Sequence, residues 1–123
     1  MTSDGFIGRV FVVAGSEPLL GAVADALTAA DALVAVIGDV AVTAGVAAHF
    51  RADATDVQVW NRAVPHAEQR LGPIDGVVAD ESTRAIAERL LEADLRRRGH
   101  GAVVTVARGD DQVGVLRRLG DTL

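Results

Sequence analysis

A run of β-favouring residues, Arg9-Val10-Phe11-Val12-Val13-Ala14, passes without a spacer into Gly15-Ser16-Glu17-Pro18-Leu19-Leu20-Gly21 and then into an alanine-rich helical pattern. A strand this uniformly apolar is satisfied only where helices cover both faces of its sheet, so the opening commits the chain to an α/β architecture. Downstream, short apolar runs keep alternating with helical spacing. This predicts strands at Val10–Ala14, Leu33–Ile37, His49–Ala52, Ile74–Ala79 and Ala102–Ala107. Strands separated by helices pair in parallel, which gives a three-layer α/β sandwich built as one domain over residues 1–123.

Between the first two strands Leu19, Leu20, Val23, Ala26, Leu27 and Ala30 recur at helical spacing. A shorter helix is expected over Val42–Ala48. A third covers Val57–Leu71, with Pro65 expected to kink or break it and Gly72-Pro73 ending it. Thr83–Arg98 reads as the longest helix, with Ile86, Leu90, Leu91 and Leu95 as its apolar stripe. Arg96-Arg97-Arg98-Gly99 is its C-terminus, where cations oppose the dipole and glycine tolerates a positive φ. A last short helix is expected at Asp111–Leu119.

Half the residues are hydrophobic, yet the aromatic ones are only Phe6, Phe11, Phe50 and Trp60, so the core is built from Val, Leu, Ile and Ala. The net charge of −5 argues against a nucleic-acid or anionic-membrane surface. All twelve cations are arginines, and the chain has no lysine, tyrosine or cysteine. Disulfides and thiolate metal sites are thereby excluded. The start, Met1-Thr2-Ser3-Asp4-Gly5, does not read as a secretion signal, and no apolar stretch approaches a membrane span, so a cytoplasmic location is expected. His49, His66 and His100 fall on different elements without ligand-like spacing. Arg108-Gly109-Asp110 spells an adhesion tripeptide but reads here as a strand-to-helix turn.

Several segments in fixed order resemble the short-chain dehydrogenase/reductase family. Its T-G-x-x-x-G-x-G loop is matched by Ala14-Gly15-x-x-x-Leu19-x-Gly21, and the aspartate motif after its third strand by Asp53-Ala54-Thr55-Asp56. Leu71-Gly72-Pro73-Ile74-Asp75-Gly76-Val77-Val78 is similar to its approach to the fourth strand, and Gly99-His100-Gly101-Ala102-Val103-Val104-Thr105-Val106 to the fifth. The resemblance implies a Rossmann-like sheet of five parallel strands in order 3-2-1-4-5. It also implies dinucleotide binding, with Gly15, Ser16 and Gly21 at the pyrophosphate and Asp53 and Ala54 flanking an adenine. Asp39, at the end of the second strand, would favour a free ribose 2′-hydroxyl and hence NAD.

Departures fall at the positions that carry chemistry. Leu19 stands where a glycine lets the backbone approach a pyrophosphate, and Glu17 adds a carboxylate there. The family's N-N-A-G becomes Ala79-Asp80-Glu81-Ser82, and the serine after the fifth strand becomes Arg108. The family's Y-x-x-x-K pair has no counterpart in these residues, so no proton relay to a carbonyl oxygen is available. The chain reads as the front two-thirds of the fold. Acids follow every strand (Glu17, Asp39, Asp53, Asp56, Asp80, Glu81, Asp110, Asp111), either as a rim for a hard cation or as caps on the helices that begin there. The capping reading is preferred, and no metal site is assigned.

Two functions follow. The leading one is a non-catalytic, short-chain-dehydrogenase-like domain that binds a partner protein or a nucleotide. The alternative is an NAD(P)-dependent oxidoreductase completed by another chain. An uncovered fifth strand and the Ile86–Leu95 stripe further suggest a homodimer through the Thr83–Arg98 helix, that strand or the C-terminal segment.

Overall fold

The computed structural model describes residues 3–42, 45–92, 95, 97 and 102–123. After a 3-10 turn at Ser3–Phe6 come β1 (Val10–Ala14), α1 (Pro18–Ala29), β2 (Leu33–Ile37), β3 (Ala48–Phe50), α2 (Val57–Leu71), β4 (Gly76–Asp80), α3 (Arg84–Ala87), β5 (Val103–Val106) and α4 (Gln112–Gly120). All five strands are parallel, in the order β3-β2-β1-β4-β5, as the family resemblance implies. Register is tight at the centre: Ala14 of β1 lies between Ile37 of β2 and Ala79 of β4.

Side-chain alternation along the strands separates two apolar layers. On one face Phe11, Val13, Val34, Val36, Val78, Val104 and Val106 pack against α1, through Leu20, Val23 and Leu27, and against α4, through Val115 and Leu119. On the other face Val10, Val12, Ala14, Ile37, Val77 and Ala79 meet Val59, Trp60 and Ala63 of α2 together with Ala87, Leu91 and Leu95. Every residue of β1 and β4 is buried, the condition that the uninterrupted apolar runs anticipated. Among the described residues no helix is long and apolar enough to cross a membrane.

Four local expectations need correction. No helix covers Val42–Ala48 in the described residues. Instead Ala47 N–H donates to Val34 O at 2.9 Å and Ala48 opens β3 opposite Ala35, so sheet pairing prevails over the helix preference of small residues. α2 runs unbroken through Pro65. Its buried face of Val59, Trp60, Ala63 and Ala67 supplies packing that offsets the hydrogen bond a proline cannot donate. Thr83–Arg98 is not a uniform α-helix, since α3 is a single turn followed by a π-helical turn at Glu88–Glu92. Leu91 and Leu95 are buried against the chain's own sheet, and Ile86 and Leu90, partly buried, pack beside them. The Arg96–Gly99 ending lies outside the described residues, save Arg97. Finally, β3, β4 and β5 are each displaced or shortened relative to the predicted bounds, by one or two residues at an end.

The outer edge of β5 is partly closed by the C-terminal segment. Val77 N–H donates to Ala102 O, which turns the backbone groups of Val103, Thr105 and Ala107 away from β4. Thr105 O accepts from Arg118 Nη2 at 3.0 Å, Ala107 N–H donates to Asp110 Oδ2 at 2.8 Å, and Arg118 and Asp110 pair with each other at 3.0 Å. Gly109, at φ 95°, allows the tight turn that brings Asp110 back.

Candidate functional site

At the carboxyl ends of the strands a cavity of about 400 Å³ opens between β1, β2 and β3. Gly15 and Ser16 after β1, Gly38 and Asp39 after β2, the Arg51–Thr55 segment after β3, and Ser82 after β4 line it. Open α/β sheets take ligands at this edge, where successive connections diverge. Of the six predicted binding residues, Gly15, Ser16, Asp39, Asp53 and Ala54 come together on its walls. Gly21 does not. It sits inside α1, where a Cβ would strike the carbonyl oxygen of Ala41, so its role is close approach of helix and loop.

The Arg51–Thr55 wall is held from behind. Trp60, fully buried, donates its indole N–H to Ala54 O at 2.7 Å. Asp53 Oδ1 accepts from Thr55 N–H at 2.9 Å and from Thr55 Oγ1 at 2.6 Å. The Thr55 hydroxyl and then its backbone N–H hold the Asp53 carboxyl below the ordinary aspartate range.

The sequence marks Asp80 as an acid of the rim and as part of the segment that replaces N-N-A-G; in the structure it is the centre of the turn between β1 and α1. It is 3% exposed. Oδ2 accepts Ser16 N–H at 2.8 Å and Glu17 N–H at 3.2 Å; Oδ1 accepts the hydroxyls of Ser82 at 2.7 Å and Thr83 at 2.9 Å. Burial pushes the carboxyl pKa up, but these hydrogen bonds, Ser16 N–H first, outweigh it and leave the pKa below the usual value. Gly15 adopts φ 140°, and a Cβ on it would overlap the Asp80 carboxylate. Thr83, wholly buried, lies within reach of Ala14 O at 3.0 Å and accepts Asp80 N–H at 3.2 Å, tying the ends of β1 and β4 together. The signal that could have found this cluster is Asp80-x-Ser82-Thr83 directly after a buried strand, because short hydroxyls two and three residues on can turn back to a carboxylate.

The two residues expected to obstruct a pyrophosphate stand elsewhere. Neither Leu19 nor Glu17 lines the cavity, and Leu19 packs against the core under α1. The rest of the acidic rim serves mainly local structure. Asp56 and Asp111 cap α2 and α4 through Gln58 N–H at 2.9 Å and Gly114 N–H at 2.7 Å, and Glu81 pairs with Arg84 at 3.8 Å. Among the described residues no group of three acids or histidines is placed to hold a metal ion.

The fold is the one found in short-chain dehydrogenase/reductases. A doubly substituted Serratia marcescens short-chain dehydrogenase/reductase aligns over 95% of this chain and 67% of its own, with TM-score 0.63 and 17% identity. An NADH-dependent reductase complexed with NAD aligns over 99% of this chain and 69% of its own, with TM-score 0.61 and 20% identity. The short-chain dehydrogenase/reductase of Serratia marcescens shares 28% identity over 60% of this chain, at TM-score 0.49, and the match spans only 35% of that protein. No protein-family model and no curated protein sequence matches the chain.

Proposed function

We propose that this chain is a non-catalytic Rossmann domain that acts by binding, and that its ligand is a nucleotide-like molecule held in the cavity beside β1, β2 and β3. The observation that carries the reading is the cavity itself. Asp39 stands at the end of β2 where a ribose hydroxyl would be accepted, and Ala54 and Thr55 form a wall fixed by Trp60 on which a base can lie. Asp39 favours a free 2′-hydroxyl over a phosphate, and the NAD seen in the NADH-dependent reductase of the same fold is in keeping with this. These 123 residues supply no tyrosine or lysine to protonate a carbonyl oxygen, which favours binding over turnover.

Isothermal titration with adenosine, AMP and NAD, beside an assay of NADH and NADPH oxidation on small carbonyl substrates, tests the reading. Saturable heat from an adenosine-bearing ligand and no turnover are expected. Turnover above the uncatalysed rate would instead establish an oxidoreductase, and no heat from any of the three would move the function to a protein partner.

A further inference from the structure

Backbone N–H groups between β1 and α1 are what a loop of this kind offers to a ligand phosphate, and here they are already committed. Gly15 N–H donates to Ile37 O at 3.0 Å, and Ser16 and Glu17 N–H donate to Asp80 Oδ2. Pro18, first in α1, has no N–H, and Leu20 N–H turns back to Glu17 O at 3.0 Å. Only Leu19 remains in this stretch as a main-chain donor to anything outside. The space left by the absent Cβ of Gly15 is filled by the Asp80 carboxylate, not left for a ligand. Asp80 is also the one buried carboxylate among the described residues, and all four of its hydrogen-bonding contacts come from donors that would suit a phosphate oxygen equally well.

We propose that the Asp80 carboxylate takes, from inside the chain, the place that a ligand's phosphate would occupy, so that the adjoining cavity admits a neutral nucleoside and turns away nucleoside diphosphates. The choice of ligand rests on the cavity reading above; the occupancy of the loop by Asp80 does not. A diphosphate entering beside Ser16 would meet a carboxylate holding the same donors, with Asp39 and Asp53 on the walls and Arg51 as the single cation among the lining residues. Two anions cannot share those N–H groups, and a nucleoside without a phosphate needs none of them.

The test compares adenosine with ADP by calorimetry, and follows thermal unfolding with and without inorganic phosphate, for the wild-type chain, Asp80→Ala and Asp80→Asn. The wild-type chain should bind adenosine at least tenfold more tightly than ADP, and Asp80→Ala should reverse that order. Millimolar phosphate should raise the Tm of Asp80→Ala by several degrees and leave the wild-type Tm unchanged, because a free anion then refills the vacated donors. Equal wild-type affinity for adenosine and ADP would overturn the exclusion and leave the cavity reading standing. Should the wild-type chain bind neither, the cavity reading falls, and a phosphate-insensitive Asp80→Ala would overturn the occupancy as well. If Asp80→Ala does not fold, Asp80→Asn, which keeps the shape and removes the charge, must narrow the adenosine-to-ADP ratio; an unchanged ratio refutes the proposal.

Discussion

Replacing Thr83 by valine keeps the outline of the side chain and deletes one hydroxyl, so its cost measures how far the Asp80 cluster holds the carboxyl edge together. The hydroxyl has one proton, reaching Asp80 Oδ1 at 2.9 Å or Ala14 O at 3.0 Å, and it accepts Asp80 N–H at 3.2 Å. Losing a hydrogen bond to a charged group costs about 1.5–3 kcal/mol, while the Asp80 N–H keeps its place in the β1–β4 ladder. Since Thr83 is 0% exposed, water cannot replace the lost bond without opening the structure. The methyl group gained offsets about 1 kcal/mol by apolar burial, so a net loss of roughly 1 kcal/mol is expected. At about 2.1 cal/mol/K of unfolding entropy per residue, a chain of 123 residues would lose roughly 4 °C in Tm. Thermal and urea unfolding followed by circular dichroism are the assays. A loss below about 0.5 kcal/mol with unchanged m-value would refute the view that Thr83 clamps β1 to β4.

Other perturbations probe the surrounding parts. Trp60→Phe removes the donor to Ala54 O and should cost about 2 kcal/mol while weakening adenosine binding several-fold; an unaltered affinity would detach this wall from the site. Because the Asp80 carboxyl is held below its ordinary value, its contribution is complete above the unfolded pKa near 3.9 and disappears as pH falls through the lower folded value. Asp80→Asn should therefore flatten the loss of stability between about pH 5 and pH 2, and an acid limb as steep as wild type's would contradict the assignment. Arg118→Ala should change stability by less than about 1 kcal/mol, because its pair with Asp110 is exposed. It bares Thr105 O on the β5 edge, however, and sedimentation should show steeper concentration-dependent association than wild type; superimposable profiles would mean the latch does not guard that edge. A homodimer through β5 would require the same latch to open.

The layers were legible because β1, β2 and β4 are continuous apolar runs with turn residues at their ends, and burial on both faces leaves them no other use; the strand order came from the family resemblance. Short-range alternatives were harder to separate. Ala47 and Ala48 are small and apolar, which suits a helix or an edge strand equally, and pairing with β2 decides it. Nothing in the spacing of Ile86, Leu90, Leu91 and Leu95 reveals a π-helical turn, since the same four residues can cover the sheet in either form. At the candidate site the wall residues were readable from their positions after strands. Asp80 was visible as an acid out of place, but its orientation was not. Whether a carboxylate faces solvent or turns under Gly15 depends on a contact 64 residues apart in sequence. For Gly21 the sequence allows a place at a pyrophosphate or close packing of the helix, and the contact with Ala41 O supplies a reason for the second.

Trp60 has an optical consequence. It is the only tryptophan, and the chain contains no tyrosine, so all tryptophan emission arises from one indole. That indole is shielded from solvent and bonded to the backbone of a cavity wall. The chain thus carries an unlabelled reporter of its own binding edge: a molecule settling on Ala54 alters the field at a single fluorophore, and the spectrum reads one place in the fold with no second emitter to subtract.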